Sequence, residues 1–538
     1  MQRLDIDFPL QGQVRVHPKE SREAAMFRRI IVMSAWTLLL LTTTAASAQV
    51  CPLNGTTSRK LVCLIPQVYG PFGFGFGPGQ DPTTSVLYTG DHHAAHFDAD
   101  FLSAFAPINQ AVGIQVSQLP IASPSSGITF TFDKVTRLET PTNDESLGPI
   151  LGERAGTIGR KKLFVGFSYQ DFNFSTIDGK DIKNIPTVLQ HQPFPAQPPQ
   201  IPACPDQTAL AGTKYNGDPC FVRDYIQTTN DIHLRVHQYT IYVTYGITRH
   251  LDFSAAIPIL DVQMKVTSNA TIVPNSAAPL VAGAPGNVWH SFNPSNPVLA
   301  PQCASAVAAN QACLQASFSD SGSARGIGDV VLRGKYTVYQ GERAGFAAGM
   351  DVRLPSGDET NFLGSGAVGV KPFGVFSYKA RVSPHAEVGY EVNGGSTLAG
   401  NNLVPSGSAT VAKGSLPNRF LYIVGADVIL TKRLTGAFDI YGQRLFSAPQ
   451  FVSQPYQDYG NCSGATNADA VNCAVYTPGT THPDVAQKTA DVNITNASLG
   501  LKLRAFSKLV ITGNVLLKLD DGGLRSRAVP LVGVSYSF

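Results

Sequence analysis

Charge is scarce in this sequence. Only 15% of its 538 residues are Asp, Glu, Lys or Arg, and the formal net charge is +3. A nucleic-acid binder carries a strong basic excess, so that class is excluded and no nucleic-acid partner is expected. Beyond the N-terminal region no stretch approaches roughly 18 uninterrupted apolar residues, so no later segment is read as a membrane-crossing helix. Catalytic signatures are missing too: there is no Gly-x-Ser-x-Gly elbow and no HExxH helix. A barrel lipase would need a Ser–His pair on its outer wall, and the outward positions identified below are aliphatic or aromatic. The chain is therefore not read as an enzyme, and no cofactor is expected. Disorder is excluded by a 43% hydrophobic content. What the chain has in quantity is turn formers, 50 Gly and 37 Pro.

Residues 26–48 are organised as a secretory signal. Phe27-Arg28-Arg29 is a basic start, Ile30 to Leu41 an apolar core, and Ala46-Ser47-Ala48 before Gln49 a small-x-small cleavage site. The alternative is a signal anchor that stays. Cys51 lies too far past Ala48 to be a lipid-modified first residue. Residues 1–25 are polar and precede the basic start, which reads as an extension from a misassigned start codon, with Met26 the true first residue. The eight cysteines form four local pairs, Cys51/Cys63, Cys204/Cys220, Cys303/Cys313 and Cys462/Cys473. That spacing favours loop staples made in an oxidising compartment. A metal site is the alternative, but no pair has CxxC spacing with a nearby His.

From Lys161 onward, segments of about ten alternating residues are followed by turns. Strand cores are expected at 161–174, 232–248, 250–266, 328–339, 343–354, 366–380, 383–393, 418–431, 433–446, 493–505, 508–520 and 528–538. Connections alternate between tight turns and loops, and the loops 175–231, 267–327 and 447–492 are very long. Short turns at one end and long loops at the other mark an outer-membrane barrel. The fold class expected is thus all-β, a transmembrane antiparallel β-barrel of about twelve strands. The stretch 128–140, within residues 127–160, adds a hairpin if the count is fourteen. A soluble β-sandwich also alternates, but it predicts neither the loop asymmetry nor inward charges. In 239–247, Tyr239, Ile241, Val243, Tyr245 and Ile247 face lipid, with Thr240, Thr244 and Gly246 opposite. Residues 161–538 would form the barrel. Its last strand places Val532, Val534, Tyr536 and Phe538 on one face, and a terminal Phe in that register looks like the signal read by the barrel-assembly machinery.

Gly326-Ile327-Gly328-Asp329, Lys335-Tyr336 and Leu354-Pro355-Ser356-Gly357-Asp358 resemble the outer-membrane family named after the meta-pathway of phenol degradation. Ser356 stands where that family usually has Thr. The resemblance is clearest over 325–395. It implies a barrel in the lipid bilayer of the bacterial outer membrane that transports aromatic or other hydrophobic small-molecule solutes. The cysteine-bearing loops are not part of the family pattern.

Inward positions would line the lumen with charge. Arg333, Lys335, Arg353, Lys371 and Lys379 form a basic sector, with Asp351 among them; Glu387, Glu391, Asp427 and Asp439 form an acidic one; Lys502, Arg504 and Lys518 form a second basic one. Facing sectors set up a transverse field in a water-filled pore. Alternatively, neighbouring charges pair and seal it. Residues 49–126 do not read as membrane strands. Phe72, Phe74 and Phe76 between glycines suggest a flexible linker, or an aromatic strip that contacts a ligand. Phe97, Phe101, Phe105 and Ile108 recur at helical spacing in 91–110, a helix that Pro107 and Gly113 would end. It would plug the lumen or rest at the periplasmic mouth. His92 and His96 lie on it four apart, a pair that lacks a third firm metal ligand. Two functions follow: a channel for small hydrophobic or aromatic solutes, or a surface barrel that binds a partner through stapled loops, as an adhesin or structural protein.

Overall fold

The computed structural model describes residues 146–190, 224–274, 290–401, 412–462, 476–506 and 508–538, and shorter stretches between 51 and 141 that include 57–70, 108–116 and 118–120. Twelve strands form a closed antiparallel barrel. They are β1 (Leu163–Ile177), β2 (Tyr225–Gly246), β3 (Leu251–Val273), β4 (Val331–Gln340), β5 (Ala344–Arg353) and β6 (Gly369–Tyr378). The remainder are β7 (Val382–Asn393), β8 (Arg419–Thr431), β9 (Leu434–Ser453), β10 (Val485–Arg504), β11 (Leu509–Lys518) and β12 (Ala528–Ser537). Each pairs with its sequence neighbour in this set, and β12 closes on β1 through Val532↔Tyr169 and Ser535↔Gly166. The chain thereby pairs both edges of every barrel strand, the condition for a sheet to stand in hydrocarbon.

Every expected strand core is present. Phe130–Phe132 pairs with Glu139–Pro141 in a separate two-stranded sheet, so the hairpin at 128–140 does not enlarge the barrel. Alternation sets the two faces. Tyr245, Phe253, Val388, Val424, Leu499 and Val534 stand exposed on the outer wall, while Thr240, Thr244, Asp252 and Ser254 are buried on the inner one. Outer aromatic pairs flank this apolar belt. Phe346 and Phe376 (ring centroids 5.0 Å apart) and Tyr536 and Phe538 (4.7 Å) lie near the short-turn end, and Tyr169 and Tyr239 (5.1 Å) lie toward the other. Such girdles mark the two interfaces of a membrane barrel.

The long connections are shorter than expected because several strands outrun the membrane. β2 and β3 have 22 and 23 residues, where a span takes about 9–11. Gln315–Ile327 pairs along the upper part of β3, through Asn269↔Ser317 to Ile259↔Ile327, and β9 and β10 stay paired up to Ser453↔Val485. These extensions carry polar outward residues, such as the ion pairs Arg235–Asp171 (2.7 Å) and Arg325–Asp261. They lack the lipid-facing apolar alternation that marks a strand in sequence. The disulfides Cys51–Cys63 and Cys303–Cys313 are formed, with Cα atoms 5.2 and 5.3 Å apart. Cys204, Cys220 and Cys473 lie outside the described residues, as does the side chain of Cys462.

Val424 faces outward near the middle of β8, at 54% exposure. Val424→Arg is expected to lower unfolding stability in lipid vesicles by about 2–4 kcal/mol, the cost of a cation near the bilayer midplane. Equilibrium urea titration of the refolded protein checks this.

Candidate functional site: a filled lumen

Described parts of the N-terminal region pack against the inner wall of the barrel. Of the helix expected at 91–110, only Phe97 and 108–110 are described; His92, His96, Phe101 and Phe105 lie outside the described residues. Residues 108–116 are helical, so Gly113 lies within the helix rather than ending it; Pro107 lies outside the described residues. A Cβ on Gly113 would stand 2.9 Å from Leu398 and 3.0 Å from Phe362, so the residue is small because the helix packs tightly, not because it stops there. Phe74, expected in a flexible linker, is fully buried against Tyr69 (4.1 Å) and Phe318 (6.4 Å), while Phe72 and Phe76 lie outside the described residues.

Residues 146–158 cross the lumen near the short-turn end and touch strand after strand. Ser146 donates to Asp427, and the Leu147 amide donates to Thr435 Oγ1 at 3.0 Å. Lys502 Nζ donates to the Leu147 and Pro149 carbonyls at 3.3 and 2.5 Å. The Ala155 and Ile158 amides donate to Ser377 Oγ at 3.2 Å and Asp252 Oδ2 at 3.0 Å. The central contact is Glu153. Its carboxylate, fully buried, meets Arg333 at 2.5 Å and Lys335 at 3.0 Å, and it accepts from Ser123 Oγ at 2.6 Å. Burial alone would push this carboxyl up. The Lys335 ammonium and the Arg333 guanidinium outweigh burial and hold it below the usual glutamate range.

The expected inward charges are brought together as a paired network rather than as opposed sectors. Arg333 forks onto Asp351, with both bonds 2.7 Å. Lys371 bridges Asp351 (3.0 Å) and Glu387 (3.6 Å). Arg353 joins Asp329 (3.0 Å) to Glu391 (3.1 Å), and Arg419 closes on Glu391 at 2.6 Å. His385 lies between Asp427 (3.2 Å) and Asp439 (2.6 Å). In a low-dielectric interior each charge needs such a partner. On this wall neighbouring charges are paired. Lys502 and Arg504 are buried on the same inner face. Two residues fall elsewhere: Lys379 sits in the turn after β6, its amide bonded to the Arg343 carbonyl at 2.7 Å, and Lys518 lies at the strand end, paired with Asp521 at 2.7 Å.

Strand parity places Asp252 inward with Ser254, and would have found His385 and Arg419, which share the inward register of Glu387 and Asp427. Glu153 and Arg154 carried no such signal, because the plug has no period. The motif residues also have work in the wall. Asp329 accepts from the Gly357 and Ser365 amides at 3.1 and 2.8 Å, and Ser356 Oγ donates to the Gly328 carbonyl at 2.7 Å. A Cβ on Gly364 would collide with Asp329. Asp358 caps the turn Glu359–Asn361 and pairs with Lys60 of the N-terminal segment at 2.7 Å. The motif thus latches the loop after β5 to the wall and to the plug. Between plug and wall remains a cavity of about 140 Å³. Leu119, Leu151, Ala256, Leu260, Val331 and Leu363 form its apolar side, and the Arg333–Arg419 network forms its charged side.

Residues 216–414 match the family model described as "Putative MetA-pathway of phenol degradation", so the resemblance carried by Gly326–Asp329 and Leu354–Asp358 is borne out. Among curated proteins, no sequence matches this chain at a significant level. Three solved structures similar to it are an outer membrane channel from Pseudomonas putida F1, a Pseudomonas aeruginosa FadL homologue and the Ralstonia pickettii toluene transporter TbuX. The first has 8% identity and a TM-score of 0.38, covering 72% of this chain and 99% of that one. The second has 10% identity and a TM-score of 0.25, covering 70% and 89%. The third has 10% identity and a TM-score of 0.23, covering 70% and 89%. The barrel itself rests on the chain's own strand pairing.

Glu153→Gln leaves Arg333 and Lys335 buried without their shared counter-charge, and should weaken plug docking by about 3–5 kcal/mol. Hydrogen exchange of residues 146–158 reads this as lost protection. The pH dependence has a definite sign. A carboxyl held below its unfolded value contributes stability above that value and loses it as pH falls through the lower, folded one. Acidification from neutral pH should leave 146–158 protected until below about pH 4.5, then release it, and Glu153→Gln should remove this step.

Proposed function

We propose that this chain is an outer-membrane channel for small hydrophobic or aromatic solutes, held narrow by its own N-terminal segment. The observation that carries the reading is the lumen cavity, apolar on one side and about 140 Å³ in volume. A dry apolar cavity of nearly that size binds one benzene ring in a protein core. The phenol-degradation family matched over 216–414 points to the same cargo class. The exposed apolar belt and its aromatic girdles support a bilayer location, and the outward Tyr536 and Phe538 support recognition by the barrel-assembly machinery. The lumen wall holds paired charges and an ordered plug, which supports passage rather than catalysis. Lumen-lining roles are assigned to Arg333, Lys335, Asp351, Arg353, Lys371, Glu387, Glu391, Asp427, Asp439, Lys502 and Arg504. Lys379 and Lys518 are assigned to the rims.

A second reading draws on the sheet that rises beyond the belt, where Gln315–Ile327 lies along β3 beside the Cys303–Cys313 staple. Such a platform suits a surface-binding protein. Solute flux and single-channel conductance of the mature chain from Gln49 in lipid bilayers separate the two. A channel should conduct weakly when intact, more strongly once 49–159 is removed, and pass small aromatics faster than sugars of similar size. It should also keep that flux when the long loops are trimmed. A truncated barrel that stays silent would move the surface-binding reading ahead.

A further inference from the structure

Among the residues that line the lumen cavity, one buried side-chain amide stands outside the hydrogen-bond and ion-pair network. Gln118 lines the cavity and is 5% exposed, and among the described residues neither its Nε2 nor its Oε1 has a hydrogen-bond partner. Its backbone, in contrast, is engaged. The amide donates to the Gln115 carbonyl at 3.1 Å, and the carbonyl accepts from Arg419 at 3.4 Å. The main chain is pinned to the wall while the side-chain amide is left over. A buried amide with no partner is costly, and persists where the site has a use for it.

We propose that Gln118 is the polar anchor of a ligand site in this cavity, and that the ligand is a neutral single-ring compound whose substituent both donates and accepts a hydrogen bond, such as a primary carboxamide. This rests on the transport reading above and narrows its cargo. Three observations select the class. The volume suits one ring. The charged lining is balanced, with Arg333, Arg353, Lys371 and Arg419 against Asp329, Asp351, Glu387 and Glu391, and each is already in an ion pair. An anionic ligand would have to break one of those pairs and leave a buried charge unpaired. Finally, Gln118 offers a donor and an acceptor side by side. A carboxylate answers the donor and sets a second oxygen lone pair against the Gln118 carbonyl; a carboxamide answers both.

The test is equilibrium binding to the full mature chain in lipid nanodiscs, measured by calorimetry against empty nanodiscs. Benzamide, benzoate and toluene share a ring and nearly a shape, and differ in hydrogen bonding and charge. Benzamide should bind saturably at one site, with benzoate at least tenfold weaker. Gln118→Leu should weaken benzamide roughly fivefold to tenfold, the worth of a net hydrogen bond, while toluene binds as well or better and so reports an intact cavity. Benzamide binding unchanged in Gln118→Leu would mean that the amide is merely hydrated, and it overturns the proposal, as does benzoate binding as tightly as benzamide. If Gln118→Leu loses toluene as well, Gln118→Asn decides: weakened benzamide with normal toluene supports the anchor, and unchanged benzamide overturns it. Toluene flux without discrimination between benzamide and benzoate sinks this site and leaves the channel. Selective binding with no flux in any variant sinks the channel and leaves the site.

Discussion

A sheet in hydrocarbon cannot keep an open edge, because each unpaired amide and carbonyl there goes without water. Everything else in this molecule follows from meeting that condition. Closing β12 on β1 requires an even set of antiparallel strands, and it brings the start of the barrel beside its last residue, where the Phe538 amide bonds the Leu163 carbonyl at 2.8 Å. Closure also divides each strand into a face toward lipid and a face toward an enclosed space. The first must be apolar. The second must be filled or hydrated.

This barrel fills it. The inner wall collects Lys, Arg, Asp and Glu from neighbouring strands, and an enclosed charge is tolerable only when paired. The wall nearly balances itself, and the N-terminal segment completes the balance by placing Glu153 against Arg333 and Lys335. The plug is therefore held by electrostatics at its centre and by amide bonds to the wall on either side. The family motif belongs to the same system: Lys335 holds the plug from within, and Asp329, Ser356 and Asp358 fasten the loop after β5 above it. One arrangement ties these residues to the plug and to the wall around the cavity.

How much of this could be read in advance differs from element to element. The membrane strands were legible because lipid on one side and charge on the other impose a strict period of two, as in Ile241, Val243 and Tyr245 against Thr240 and Thr244. Gln315–Ile327 was not, because above the membrane both faces meet water or polar neighbours and the outward Ser317, Ser319 and Ser321 carry no apolar signal. Phe97 and Ile108 are both buried, and the helix runs on through 116, past the 91–110 stretch; burial in an enclosed lumen comes from all sides, so an apolar stripe does not mark where such a helix ends.

The amino-acid sequence alone determined the fold class, the twelve barrel strands, the inward register of most of the charges and the resemblance to a family, because each of these is written in local alternation or in a short motif. Tertiary structure alone decided what the lumen charges do and what shares the lumen with them. Whether Arg333 faces a water-filled pore or Glu153 depends on a segment some 180 residues away in the chain, and long-range pairing between an aperiodic plug and a periodic wall leaves no trace in either stretch by itself.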